Sequence, residues 1–339
     1  MKKLVSILIL CLGCFTGLMA QSYWKSLPMQ GIFLGVGPDG SLFSYYNYGI
    51  TRSQDEGQTW EEVLGAATGF DYQFNTHCFT VSPEGRIFLL ADSYPRRVLY
   101  SDDNGDTWQQ GSEMYGLEET TVMGLHAASN DIIAGWTDTQ EVFLTVNGFE
   151  SYSNPYHLDV INTDDQYITD VIINDNKDMY IAIYRSMGEG IGVYHFNLFD
   201  MLSWGWAAFE NVGIQDLEFD PEGNVVCGVN FGGEFPEFGQ EPGFYAFWAN
   251  SLGIADNGIT YRWNKWWNDG NNTAVLAYSY DHGETFTEIG EELPLAPFIP
   301  GGDDGHLFKG ADNHLYFIGN SQYWKSKSNA TTCPIPILG

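Results

Sequence analysis

Apolar residues in this chain come in short runs separated by polar gaps, and the runs are too brief for helices. Arg86-Ile87-Phe88-Leu89-Leu90, Met179-Tyr180-Ile181-Ala182-Ile183-Tyr184 and Leu315-Tyr316-Phe317-Ile318 are rich in β-branched and aromatic residues and are bounded by Gly, Asn and Asp. That composition reads as strands. No long stretch repeats with the 3.6-residue period of a helix, so the fold class is all-β.

The gaps are as regular as the runs. Pro38-Asp39-Gly40, Pro83-Glu84-Gly85, Ser129-Asn130-Asp131, Asp175-Asn176-Lys177, Pro221-Glu222-Gly223 and Ala311-Asp312-Asn313 each separate two apolar segments, and the last interval is double the others. Asn268-Asp269-Gly270 is the candidate to fill it. A second series is stricter: Ser53-Gln54-Asp55-Glu56-Gly57-Gln58-Thr59-Trp60 recurs as Ser101-Asp102-Asp103-Asn104-Gly105-Asp106-Thr107-Trp108 and as Ser279-Tyr280-Asp281-His282-Gly283-Glu284-Thr285-Phe286. Weaker copies stand at Thr145-Val146-Asn147-Gly148 and Ser326-Lys327-Ser328-Asn329-Ala330, and the gap from Gly148 to Gly283 has room for two degenerate ones. A fixed period of this length means stacked or radial copies of one small unit. Seven units fit both series, with six units and one long insertion as the alternative.

The octapeptide has the chemistry of a tight hairpin. An Asp side chain accepts from backbone N–H groups just ahead of it, Gly takes a positive φ, and the aromatic anchors the next strand. It resembles the Asp-box, or bacterial neuraminidase repeat, of sialidases and related β-propellers. The resemblance implies a single β-propeller of four-stranded blades, with each box joining a blade's third and fourth strands away from the catalytic face. Ser53, Asp55, Gly57, Trp60, Ser101, Asp103, Gly105, Trp108, Ser279, Asp281, Gly283 and Phe286 are then structural. Tyr23-Trp24-Lys25-Ser26-Leu27 resembles the strand after a box and is expected to complete the last blade, which removes the open edge.

A formal net charge of −30 over 339 residues excludes nucleic acid and anionic membranes as partners. Met1 to Ala20 reads as a secretory signal peptide: Lys2 and Lys3, an apolar run from Leu4 to Leu12, then small residues. The run is too short to span a bilayer, and Leu12-Gly13-Cys14 is an imperfect lipid-attachment pattern. The expectation is an exported monomer of residues 21–339, secreted, periplasmic or at the cell surface, with no membrane span. Cys78, Cys227 and Cys333 then remain, too few for a disulfide framework.

In this fold inner strands converge on a central channel, so their first residues are the place to look for chemistry. Aligned on the turns, Ile168-Thr169-Asp170-Val171 lies opposite Ile214-Gln215-Asp216-Leu217, with Thr76-His77-Cys78-Phe79 at the same level. Asp170 and Asp216 are candidate acid and base for glycoside cleavage. The plainer reading is that each satisfies backbone N–H groups. His77, Thr169 and Gln215 are candidate binding residues beside them. Sialidases hold their substrate with three arginines, one in an F/Y-R-I-P motif, and use a Tyr beside a Glu. Here the nearest string, Glu84-Gly85-Arg86-Ile87-Phe88, lacks the proline. Xyloglucanase-type enzymes share the box and use paired Asp residues, but resemble two fused propellers.

An aromatic-rich insertion, about residues 232–272, departs from the repeat. Its Trp248, Trp263, Trp266 and Trp267 are candidates to stack on a sugar or hold a protein. Alternate facing along a strand forbids all of the last three from pointing inward. Asp164-Asp165 and Asp303-Asp304 offer oxygens of the kind calcium takes, but without an EF-hand pattern. No histidine spacing supports a transition metal. No cofactor is expected, calcium being the one candidate. The leading expectation is a propeller that binds glycan or protein through its loop face. A glycoside hydrolase, sialidase-like or xyloglucanase-like, and an exported assembly scaffold are the alternatives.

Overall fold

The computed structural model describes residues 23–65, 74–91, 96–117, 120–158, 166–185, 192–197, 205–209, 212–229, 243–268, 271–289, 293–294, 306–319 and 322–331. The signal segment, Cys14, Cys333, Asp164-Asp165 and Asp303-Asp304 lie outside them. The described strands form seven sheets around one axis, a seven-bladed β-propeller. Blades 1 to 4 are antiparallel and four-stranded, with inner strands Ile32–Val36, Phe74–Val81, Val122–Ala127 and Gln166–Ile173.

Ring closure follows the sequence expectation. Trp24–Ser26 pairs with Gln322–Asn329 in the register Trp24↔Ser326, Lys25↔Lys325 and Ser26↔Trp324, so the N-terminal strand is the outer strand of blade 7. Trp24 packs against Phe317 with ring centroids 6.5 Å apart. A charged network on the same seam ties this strand to the first box. Lys325 Nζ lies 2.8 Å from Asp312 and 3.8 Å from Glu56, and Lys25 pairs with Glu56.

The apolar core lies between blades. Cys78, Phe88, Val122, Phe143 and Phe149 pack blade 2 on blade 3, and comparable clusters join 3 to 4, 4 to 5 and 6 to 7. Each fully buried Phe among them contributes about 1.5–3 kcal/mol of transfer free energy. Cys78 and Cys227 are buried in this core as thiols, neither in a disulfide.

The boxes join third and fourth strands, and their hydrogen bonds explain their residue types. In blade 1, Ser53 Oγ accepts from Gly57 N at 2.7 Å, while Asp55 accepts from Thr59 N at 2.8 Å and Thr59 Oγ1 at 2.7 Å. Blades 2 and 6 repeat this with Asp103 and Asp281. In blade 3 the match is one residue off the spacing used above. Thr145 Oγ1 accepts from Phe149 N at 3.0 Å and Asn147 Oδ1 from Ser151 N at 3.0 Å, so Phe149, at φ 66°, stands where the other boxes have glycine.

Two assignments in the second half of the chain change. The turn sought at Asn268-Asp269-Gly270 is Asp256-Asn257-Gly258, which links Ser251–Ile254, the inner strand of blade 6, to Thr260–Asn268. Asn268 and Asn271 instead close a hairpin of two nine-residue strands, Thr260–Asn268 and Asn271–Ser279. Described residues of the aromatic segment are thus strands of blades 5 and 6. Blade 5 has three described strands, and the third, Phe244–Trp248, runs parallel to the second, Val225–Val229. It has the direction of a fourth strand, so no third-to-fourth hairpin, and no box, exists among the described residues of this blade.

Candidate functional site

The inner strands enclose a central channel of about 1140 Å³. Near its mouth, four inner strands slip register against their neighbours, between Phe33 and Gly35, Val122 and Gly124, Ile168 and Asp170, and Ile214 and Asp216. A β-bulge leaves one residue unpaired and re-aims side chains. In blade 4 the unpaired residue is Thr169, and both it and Asp170 reach blade 5. Thr169 Oγ1 donates to Ile214 O at 2.7 Å, and Asp170 Oδ2 accepts from Leu217 N at 2.8 Å.

The pattern continues around the ring. Asp216 Oδ2 accepts from Leu252 N at 2.7 Å and lies 2.9 Å from Ser251 Oγ in blade 6. Ser251 Oγ in turn accepts from Leu307 N of blade 7 at 3.1 Å. His126 Nδ1 of blade 3 accepts from Ile173 N of blade 4 at 3.3 Å, and Cys78 Sγ of blade 2 lies 3.4 Å from Val122 O of blade 3. Inner-strand side chains therefore tie blades 2 to 7 in succession. Asp216, Ser251 and His306 also form a hydrogen-bonded chain, with Ser251 Oγ 2.9 Å from His306 Nδ1. It is not a nucleophilic triad: the serine is in the middle and is only 1% exposed, whereas such triads place the imidazole in the middle.

Asp170 and Asp216 both line the channel, and a third carboxylate joins them. Glu218, two residues beyond Asp216, faces the same way, and period-two alternation is the signal that finds it. Burial first, and then the charge of Asp216, raises the Asp170 carboxyl well above the usual range. The same causes push Glu218 up to about 8, with Lys309 opposing. His126 is driven down to about 4 by burial, which keeps it neutral and able to accept from Ile173 N. Like charges this close do not all ionise together at neutral pH.

The remaining sequence candidates separate. Gln215 is the unpaired bulge residue of blade 5 and lines the channel. His77 lies within Phe74–Val81 where that strand also slips register, but its side chain is outside the description. Trp248 is part-buried at the end of the outer strand of blade 5, and its carbonyl accepts from Arg262 Nη1 at 3.3 Å. Trp263 is fully buried, 5.3 Å from Phe317 between blades 6 and 7, which makes it core. Trp266 and Trp267 lie on the long hairpin, their side chains also undescribed. Among the described residues, no group of His, Cys, Asp and Glu is arranged to hold a metal ion.

Comparison with known proteins agrees on the scaffold. A family model described as BNR/Asp-box repeat matches residues 99–110, which span the second box. The chain is a seven-bladed β-propeller that carries an Asp-box repeat. No curated protein matches it by sequence. This propeller is similar in fold to YCF48 bound to D1 peptide, at TM-score 0.55 and 17% identity over 91% of this chain and 98% of that one. It is also similar to YCF48 from Cyanidioschyzon merolae, at TM-score 0.50 and 15% identity over 90% and 99% of the two chains. The GH74 enzyme of Niastella koreensis aligns at TM-score 0.56 and 12% identity, covering 94% of this chain and 54% of that one. Identities this low concern the fold, and site chemistry rests on this chain's own residues.

Proposed function

We propose that this propeller is an exported binding protein that holds a protein or glycan ligand over the channel mouth on its loop face. The observation that carries this is the use of Asp170 and Asp216: both accept backbone N–H groups of the next blade, so they build the ring. The channel they leave open is roomy enough to receive part of a ligand. Peptide is one such ligand class, since YCF48 with its D1 peptide has this fold. Export by residues 1–20, a monomeric state and independence from a cofactor belong to the same proposal. Among the described residues no helix is long and apolar enough to cross a membrane.

One observation favours a second reading, glycoside cleavage. Burial, and then the charge of Asp216 on the neighbouring blade, raise the Asp170 carboxyl well above the ordinary range, and a carboxyl so raised beside a second carboxylate is what an acid catalyst needs. One experiment separates the two. Residues 21–339 are incubated with an oligosaccharide panel and products are read by mass spectrometry. Binding without release is the expected outcome; sugar release that Asp170→Asn abolishes would establish the enzyme instead.

A further inference from the structure

The two faces of the disc differ in what they expose. In each blade the inner strand starts on the loop face, where the second strand ends and the fourth strand leaves. Ile32, Met123 and Tyr167 stand at or near inner-strand starts. Tyr46 and Tyr48 stand at the turn from second to third strand of blade 1, and Tyr115 just past the fourth strand of blade 2. All six are exposed, Tyr48 by 67% and Tyr115 by 58%. Only Val146 and Tyr280, both in boxes, are exposed large apolar residues on the opposite face among the described residues. Exposed apolar side chains gathered on one face mark a contact surface.

Charge says what would cover it. Asp170, Asp216 and Glu218 line the channel below this rim, and among the described residues none of them has a cationic partner in an ion pair. Lys309, the channel's lysine, is committed to Asp256 at 2.7 Å. On the opposite face Arg52, Arg86 and Lys325 all sit against carboxylates.

We propose that the loop face of blades 1 to 4 docks a polypeptide segment through the apolar rim and takes one arginine or lysine of that segment into the channel, toward Asp216 and Glu218. This rests on the binding reading above and specifies its ligand. A cation entering the channel would draw the raised Glu218 carboxyl into its charged form, which a neutral or acidic side chain, or a neutral glycan, cannot do.

The test uses residues 21–339, immobilised, and four synthetic heptapeptide pools that are random except at the centre, which is Arg, Lys, citrulline or Glu. Retained peptide is measured by mass spectrometry. Arg and Lys pools should be retained about ten-fold over citrulline, the neutral isostere of Arg, and more over Glu. Glu218→Gln should cut that preference by about three-fold or more, and among the described residues the Glu218 side chain has no hydrogen bond whose loss would threaten folding. Tyr48→Ala with Tyr167→Ala should lower retention of every pool and leave the ratio between pools unchanged. Equal retention of the Arg and citrulline pools would overturn the cation and leave peptide binding standing. A panel in which no pool is retained, while an oligosaccharide is, would overturn the peptide and leave ligand binding standing. No retention of peptide or sugar would remove both.

Discussion

Asp281 in the blade 6 box and Asp170 in the channel are the same residue type moved in opposite directions. Asp281 is part-exposed and is held down to about 2, first by Ser279, then by Thr285 through its hydroxyl and its backbone N–H. Asp170 accepts two backbone N–H groups as well, yet burial and the charge of Asp216 outweigh them and its carboxyl rises. Donors decide the matter where water is near, and desolvation with like charge decides it where water is scarce. On the turn face carboxylates hold loops; in the channel they hold blades together.

The contrast can be broken most forcefully at Asp312. This turn-face carboxylate is largely buried, its side chain 12% exposed, and the Lys325 hydrogen bond and charge overcome that burial to keep it low. Lys325→Met should cost about 2–4 kcal/mol in urea unfolding, because a buried charge loses its partner. An NMR titration of Asp312 in that variant should show its carboxyl moved upward, into the behaviour of the channel group.

The next effect has the opposite sign. Glu218 keeps its proton in the fold up to about 8, whereas the ordinary value is 4.5. Between those values the folded protein binds the extra proton, so stability falls as pH rises through that window. Glu218→Gln should abolish that fall and stabilise the protein at pH 8 by on the order of 1–3 kcal/mol, with little change at pH 4. Urea midpoints at the two pH values check it.

Smaller still is the coupling between channel groups. Asp216→Asn removes the charge that raises both neighbours, so the carboxyls of Glu218 and Asp170 should titrate lower by carbon-detected NMR. An unchanged Glu218 would mean that burial alone sets its value. The smallest effect belongs to the exposed box. Asp281→Asn should cost under about 1 kcal/mol at pH 7, the worth of a few exposed hydrogen bonds. Because Asp281 is held below its ordinary value of 3.8, that difference should be present above it and vanish as pH falls through about 2.

Much of this architecture can be read from residues alone, because boxes and turns are local chemistry. Ser53, Asp55 and Thr59 need only each other, and the pattern survives wherever those groups survive. Departures arise where a distant constraint takes over. The nine-residue strands of blade 6 lengthen its second hairpin, so equal spacing led to Asn268 rather than Asp256 as the turn. Phe149 accepts a positive φ that glycine normally takes while its ring is buried against blade 2, 6.2 Å from Phe88. At the channel, alignment of the turns puts Asp170 and Asp216 at one level on neighbouring inner strands, and both line the channel. Their bonds to Leu217 and Leu252 depend on bulges that no local pattern announces, and Glu218 was hidden because it follows the aligned position by two.

The seam between Trp24–Ser26 and Gln322–Asn329 also bears on time. Trp24 meets Ser326, so a strand near one end of the chain waits for one near the other. The entropy of closing so long a loop grows only with the logarithm of its length. The search for the contact is slower, since folding rates fall as contacting residues lie further apart in sequence. Closure is therefore expected to be a late and slow event, during which the edge of Gln322–Asn329 stays unpaired and open to intermolecular pairing. The contact that makes the disc durable is also the one that leaves it longest exposed to aggregation.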